Sequence, residues 1–184
     1  MKMSILFIMM FSFIFLVTGC ENQGPMPQEA TNEEMSEIES LEKGGHWGSK
    51  GILLIPKFYK QAWETSDIDI FAALWAEDGI QMPPDAPHVV GREAIVAGAT
   101  PLMENFNVEI DITVMEAKAV SHKWGFMWGV YTMVGTPKAG GEGFSVDGKF
   151  STIVKKRNYD DPLRKKYGPW EVYIDCFNSN VPPQ

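Results

Sequence analysis

The chain has 184 residues, of which 45% are apolar and 22% charged, and its 6 Trp and 11 Phe can fill the core of one domain with extensions. A net charge of −8 and a pI near 4.9 argue against nucleic acid as a partner. Only two cysteines are present, Cys20 and Cys176, so the chain holds no disulfide framework.

The first segment does not belong to the core. Lys2 precedes an apolar run from Ile5 to Val17, interrupted only by Ser12 and too short for an ordinary membrane span. It has the character of a signal-peptide core and ends in Leu16-Val17-Thr18-Gly19-Cys20. That ending resembles the lipobox of bacterial lipoproteins, in which the cysteine is lipidated and becomes the first mature residue. The resemblance implies a signal peptide over 1–19 and a membrane anchor through a lipid on Cys20. The location implied is the bacterial cell envelope, on the outer side of the cytoplasmic membrane or in the outer membrane. Residues 20–48 follow as an acidic tether, with seven Glu and one Lys between Glu21 and Lys43. Met35, Ile38 and Leu41 fall at helical spacing within it, beside the simpler reading of a solvated spacer.

From Ile52 a helical stripe runs through Ile55, Phe58, Tyr59, Ala62 and Trp63, with Pro56 in or near its first turn. Ser66 or Asp67 caps a second helix carrying Ile68, Ile70, Phe71, Leu74 and Trp75 to about Asp78-Gly79. A short strand, Gly79 to Met82, enters a proline-rich loop, and Gly91-Arg92-Glu93 opens a third helix that Pro101 breaks or bends. After Asn105 the period becomes two. Val108, Ile110, Ile112 and Val114 alternate with polar residues, and Lys123 to Gly135 is an aromatic strand whose Gly125 and Gly129 mark bulges. Phe144–Arg157 and Gly168–Asn180 form the closing strand pair around a long turn. The expected fold is one α+β domain over 49–184. Its curved antiparallel sheet, four long strands plus a short one, packs against three N-terminal helices.

Several phrases carry a family likeness. Trp75-Ala76-Glu77-Asp78-Gly79, Pro83-Pro84, Val90-Gly91-Arg92-Glu93-Ala94-Ile95, Asp147-Gly148-Lys149-Phe150 and Trp170–Asp175 occur in this order. Together they resemble the nuclear-transport-factor-2-like superfamily, in particular its SnoaL-like and ketosteroid-isomerase-like members. The resemblance spans about residues 50–180 and implies a cone-shaped fold enclosing one pocket, and a homodimer through the outer sheet face. Isomerases, dehydratases and binding domains share this fold, so it does not specify an activity. In ketosteroid isomerase a first-helix tyrosine stabilises the oxyanion, and Tyr59 falls at that position. The isomerase's general-base aspartate falls on Pro83, which cannot take a proton, and Asp85 serves only if the loop turns inward. A steroid substrate is therefore not implied.

The candidate site residues follow. Asp175 stands among apolar neighbours in the last strand and is either a pocket acid–base group or one half of a cross-strand pair. Tyr59 is either a pocket hydroxyl or a core tyrosine with a wet tip. Trp63, Trp75, Met82, His88, Trp128 and Tyr131 are the candidate ligand wall. Three scattered histidines give no metal-ligand spacing, and no cofactor motif occurs, so neither metal nor cofactor is expected. The basic cluster around 155–166 reads as a solvated turn or as a patch for anionic lipid or an acidic partner. The expected function is binding of a small apolar ligand. The alternatives are isomerase- or dehydratase-type acid–base catalysis in the same pocket, and a non-catalytic interaction module with a filled pocket.

Overall fold

A computed structural model describes residues 48–180. The expected signal peptide, Cys20 and the tether up to residue 47 lie outside the described residues. Helices α1 (Ser49–Ile52) and α2 (Leu54–Thr65) are separated only by Leu53, and Pro56 sits in the first turn of α2, where no helical N–H bond is lost. α2 buries Leu54, Ile55, Ala62 and Trp63 and stops where Ser66 adopts left-handed backbone, φ 53°. Asp67 caps α3 (Ile68–Leu74) by accepting from the backbone N–H groups of Asp69 and Ile70 at 3.1 and 2.9 Å.

Strand β1 (Trp75–Met82) starts at Trp75, not at Gly79. Trp75 continues the helical spacing of Phe71, but its backbone pairs with Val172 of the last strand and the ring is fully buried. Tertiary pairing overrides local periodicity here. After the proline loop, β2 (Val89–Val90) returns antiparallel to β1, with Ile80 opposite Val90. Helix α4 (Arg92–Asn105) runs through Pro101 without breaking. The carbonyl that loses its partner there belongs to the exposed residue Ala97, which water can reach.

The long strands β3 (Phe106–Ala119), β4 (Trp124–Pro137) and β5 (Phe144–Lys156) follow as a meander, then a short helix α5 (Leu163–Tyr167) and β6 (Trp170–Ser179). The six-stranded sheet has the order β2-β1-β6-β5-β4-β3, and every junction is antiparallel except β1–β6. This is the α+β architecture expected, with β2 and one parallel seam added. Bulges lie at Met115 in β3 and Tyr173 in β6, with a further irregularity between Trp75 and Ile80 of β1, and none lies in β4 itself. Gly129 faces the first bulge. A Cβ there would lie 2.0 Å from the Thr113 carbonyl oxygen and 2.9 Å from the Phe150 ring, so only glycine lets the strands approach.

The helices cover one face of the sheet. Ile52, Ile55, Phe71, Leu74, Trp75, Ile95, Val154 and Trp170 form the best-buried part of the core. One ion-paired group lies inside it. Arg157 follows β5 directly with its side chain fully buried, donating to Glu171 at 3.1 Å, to Asp161 at 3.5 Å and to the Ala73 carbonyl. Arg157 is thus an internal fastener joining α3, the 158–169 turn and β6, not part of a surface basic cluster. Burial raises the Glu171 pKa despite the guanidinium beside it. Lys155 pairs with Asp78 and lies 5.1 Å from the Tyr173 ring centroid.

Candidate functional site

Period two decides which side chains face the helices. In β4, Met127, Tyr131 and Met133 point inward; in β5, Val146, Phe150 and Thr152; in β6, Asp175 and Phe177. β1 contributes Gln81, opposite Asp175 in the parallel register, and α2 contributes Ile55, Tyr59 and Trp63 along one face. Between these elements is a cavity of about 310 Å³. Its size is at the lower end for a small-molecule site. An interaction module packed solid by its own aromatics would not leave this space.

Among the described residues, Asp175 is the one charged side chain on the cavity wall. The Thr152 hydroxyl donates to its Oδ1 at 2.6 Å, the bond a cross-strand pair of these residues allows. Burial among apolar walls pushes the carboxyl up to about 6, and the Thr152 bond opposes the shift without cancelling it. No basic side chain of the described wall compensates it.

Tyr59 projects from α2 into the same space and stacks at tilted angles on Trp63 and Phe71, with ring centroids 6.1 and 5.6 Å away. Burial first and the Asp175 charge second hold its hydroxyl well above the ordinary phenol range. The Trp63 indole N–H acts on it in the opposite sense but lies outside hydrogen-bond geometry and remains unpartnered among the described residues. Tyr131 donates to the Asn178 carbonyl at 3.2 Å, and burial followed by the Asp175 charge raises its pKa too. Two neutral phenols therefore share the cavity with one acid.

Of the residues singled out from the sequence, Asp175, Tyr59, Trp63, Trp75 and Tyr131 meet at the cavity. Met82 does not. Parity turns it to the other face, 38% exposed, and gives its place to Gln81. Trp128 lies on the outer face, 43% exposed, with its indole N–H donating to Glu116 at 3.3 Å. His88 is exposed beyond the proline loop and is not part of the wall. Asp85 is exposed at φ 56°, so the loop does not carry it inward, while Pro84 reaches the wall. Asp147 faces outward and accepts from Asn180. Sequence reasoning misses Gln81, Thr152, Phe150 and Phe177. Once Asp175 is taken as inward, strand alternation and cross-strand register supply all four.

Among the described residues no three His, Cys, Asp or Glu side chains converge on a metal-sized site. No helix among them is long and apolar enough to cross a membrane.

A curved open sheet wrapped over helices around a half-open cavity defines a nuclear-transport-factor-2-like cone. The SnoaL-like domain family matches residues 55–157, and the chain belongs to it. No curated protein matches the chain. Among solved structures it is similar to a ketosteroid isomerase-like protein from Erwinia carotovora, with 20% identity and a TM-score of 0.58. That match covers 83% of this chain and 100% of that one. A nuclear transport factor 2-like superfamily protein from Salmonella enterica superposes with 12% identity and a TM-score of 0.55, covering 82% and 96%. A provisionally assigned scytalone dehydratase from Novosphingobium aromaticivorans gives 14% identity, a TM-score of 0.60, and coverage of 80% and 89%. At these identities the likeness concerns the fold.

Proposed function

We propose that this domain holds a small, largely apolar molecule in its cavity while anchored outside the cytoplasm by a lipid on Cys20. The observation that carries the binding reading is the cavity itself, a half-open apolar and aromatic pocket with one acid on its wall. The lipobox-like sequence at Leu16–Cys20 and the acidic stretch after it support the anchor. Native mass spectrometry of the full chain purified from its host tests the first part. A retained small molecule, lost on denaturation, is expected; a bare protein from every preparation would overturn it. For the anchor, Cys20→Ala is expected to abolish incorporation of labelled palmitate.

A second reading is favoured by one arrangement: an acid on the cavity wall whose carboxyl burial pushes up to about 6, with the Tyr59 hydroxyl close enough to feel its charge. Asp175 would move the proton and Tyr59 would donate to a developing oxyanion, as in an isomerase or dehydratase. The scytalone dehydratase and ketosteroid isomerase-like neighbours fit this reading. Once a substrate is in hand, Asp175→Asn is expected to lower kcat by at least about a hundredfold with little change in KM.

The outer sheet face supports self-association. Trp124, Trp128, Val134 and Ile153 stand there at 40–43% exposure. Two copies joined through this face would cover them.

A further inference from the structure

The cavity has one electrical sign. Asp175 lines it, and among the described residues no lysine, arginine or histidine does. Lys60, the cation of α2, turns away to Glu64 and Asp111, and Arg157 is spent on Glu171 and Asp161. The groups facing Asp175 from each surrounding element are Thr152 of β5, Gln81 of β1, Tyr59 of α2 and Tyr131 of β4, all neutral near pH 7. Thr152 supplies the single hydrogen bond that the carboxylate receives from the described residues.

Around this acid stand six aromatic rings: Tyr59, Trp63, Trp75, Tyr131, Phe150 and Phe177. Aromatic faces carry partial negative charge and attract a cation placed over them. A carboxylate on a half-buried apolar wall attracts the same cation more strongly than it would in bulk water and repels an anion. A half-buried carboxylate with one hydrogen bond, from Thr152, keeps part of its desolvation cost, and a neutral occupant leaves that cost in place. An occupant with a positive end removes it.

We propose that the molecule this cavity takes is a hydrophobic amine, its ammonium group seated on Asp175 and its carbon skeleton against the aromatic walls. This rests on the ligand-binding reading of the cavity. It adds the sign of the ligand's charge and the residue that selects it. Gln81, beside Asp175 in the register, is placed to accept from a second ammonium hydrogen through its amide oxygen. Carboxylate ligands of the same shape are excluded by the wall's own charge.

The test uses three probes with one skeleton: cyclohexylmethylamine, cyclohexylmethanol and cyclohexanecarboxylate. Each is titrated calorimetrically into the full chain in neutral-lipid nanodiscs, with empty nanodiscs subtracted. At pH 7.5 the amine is expected to bind at least about tenfold tighter than the alcohol, which is the scale of one well-placed charge pair. Asp175→Asn is expected to remove that advantage, with circular dichroism checking its fold. In the unmutated chain the advantage is expected to shrink as the pH falls below about 6 and Asp175 takes up a proton. An amine that binds no tighter than the alcohol, or a carboxylate that binds tightest, overturns the amine assignment and leaves the cavity a ligand site. Failure of all three probes to bind counts against the ligand-site reading itself, and the amine assignment falls with it.

Discussion

Asp175 concentrates the tension in this domain into one side chain. Its carboxyl ionises at about 6 in the fold against 3.8 for an aspartate freely exposed to water, so between those values the folded chain binds more protons than the unfolded one. Stability therefore falls as the pH rises through this window, by roughly 2–3 kcal/mol on the usual conversion. Asp175→Asn removes the ionisable group. We expect its urea midpoint to exceed that of the unmutated chain at pH 7 and the difference to vanish near pH 4. Thr152→Val should act on the same group in a defined direction. Without the hydroxyl that stabilises the carboxylate, the Asp175 titration measured by carboxyl-carbon NMR should move above 6. A lower value would mean that the hydroxyl serves only the neutral acid.

At the scale of elements, sequence and structure part company in instructive places. β3 was legible because Val108, Ile110 and Ile112 alternate with exposed residues over one buried face. β1 was not, because Trp75 lies at helical spacing from Phe71 and only a partner nearly a hundred residues away decides its backbone. β2 has two residues and no period to read. The candidate wall contained an internal contradiction that the sequence alone exposes. Trp128 and Tyr131 are three apart in one strand, so they cannot share a face, and the structure keeps Tyr131. Asp175 and Tyr59 were legible as types in context, an acid in an apolar strand and a tyrosine in a helical stripe. Their meeting depends on the curvature of a sheet bulged at Met115 and Tyr173, which no local signal announces.

The Arg157 group makes a prediction at this scale. Arg157→Met leaves Glu171 buried without its partner, and a loss of about 3–5 kcal/mol in chemical unfolding is expected. Adding Glu171→Leu should restore most of it, because an apolar pair needs no counter-charge. If the double variant is no better than the single, the arginine acts through its Ala73 and Asp161 contacts instead.

For the whole molecule, the exposed Trp124, Trp128 and Ile153 bear on assembly. Under the proposed self-association, Trp128→Glu should convert a dimer to a folded monomer in sedimentation velocity, since the residue contributes nothing to the core. A mass unchanged by the substitution, or a monomer from the start, would show that this face meets something other than a second copy.

The parallel seam between β1 and β6 has a consequence in time. A ribosome delivers Trp75 long before Val172, yet the two lie side by side. Until the last strand emerges, β1 has only the two residues of β2 to pair with, and β1 and β5 each leave an edge open to the gap that β6 fills. The six-stranded sheet therefore cannot be completed before the last strand arrives, and a chain stopped at residue 169 should show no cooperative unfolding transition. Supplying residues 170–180 as a separate peptide should restore one.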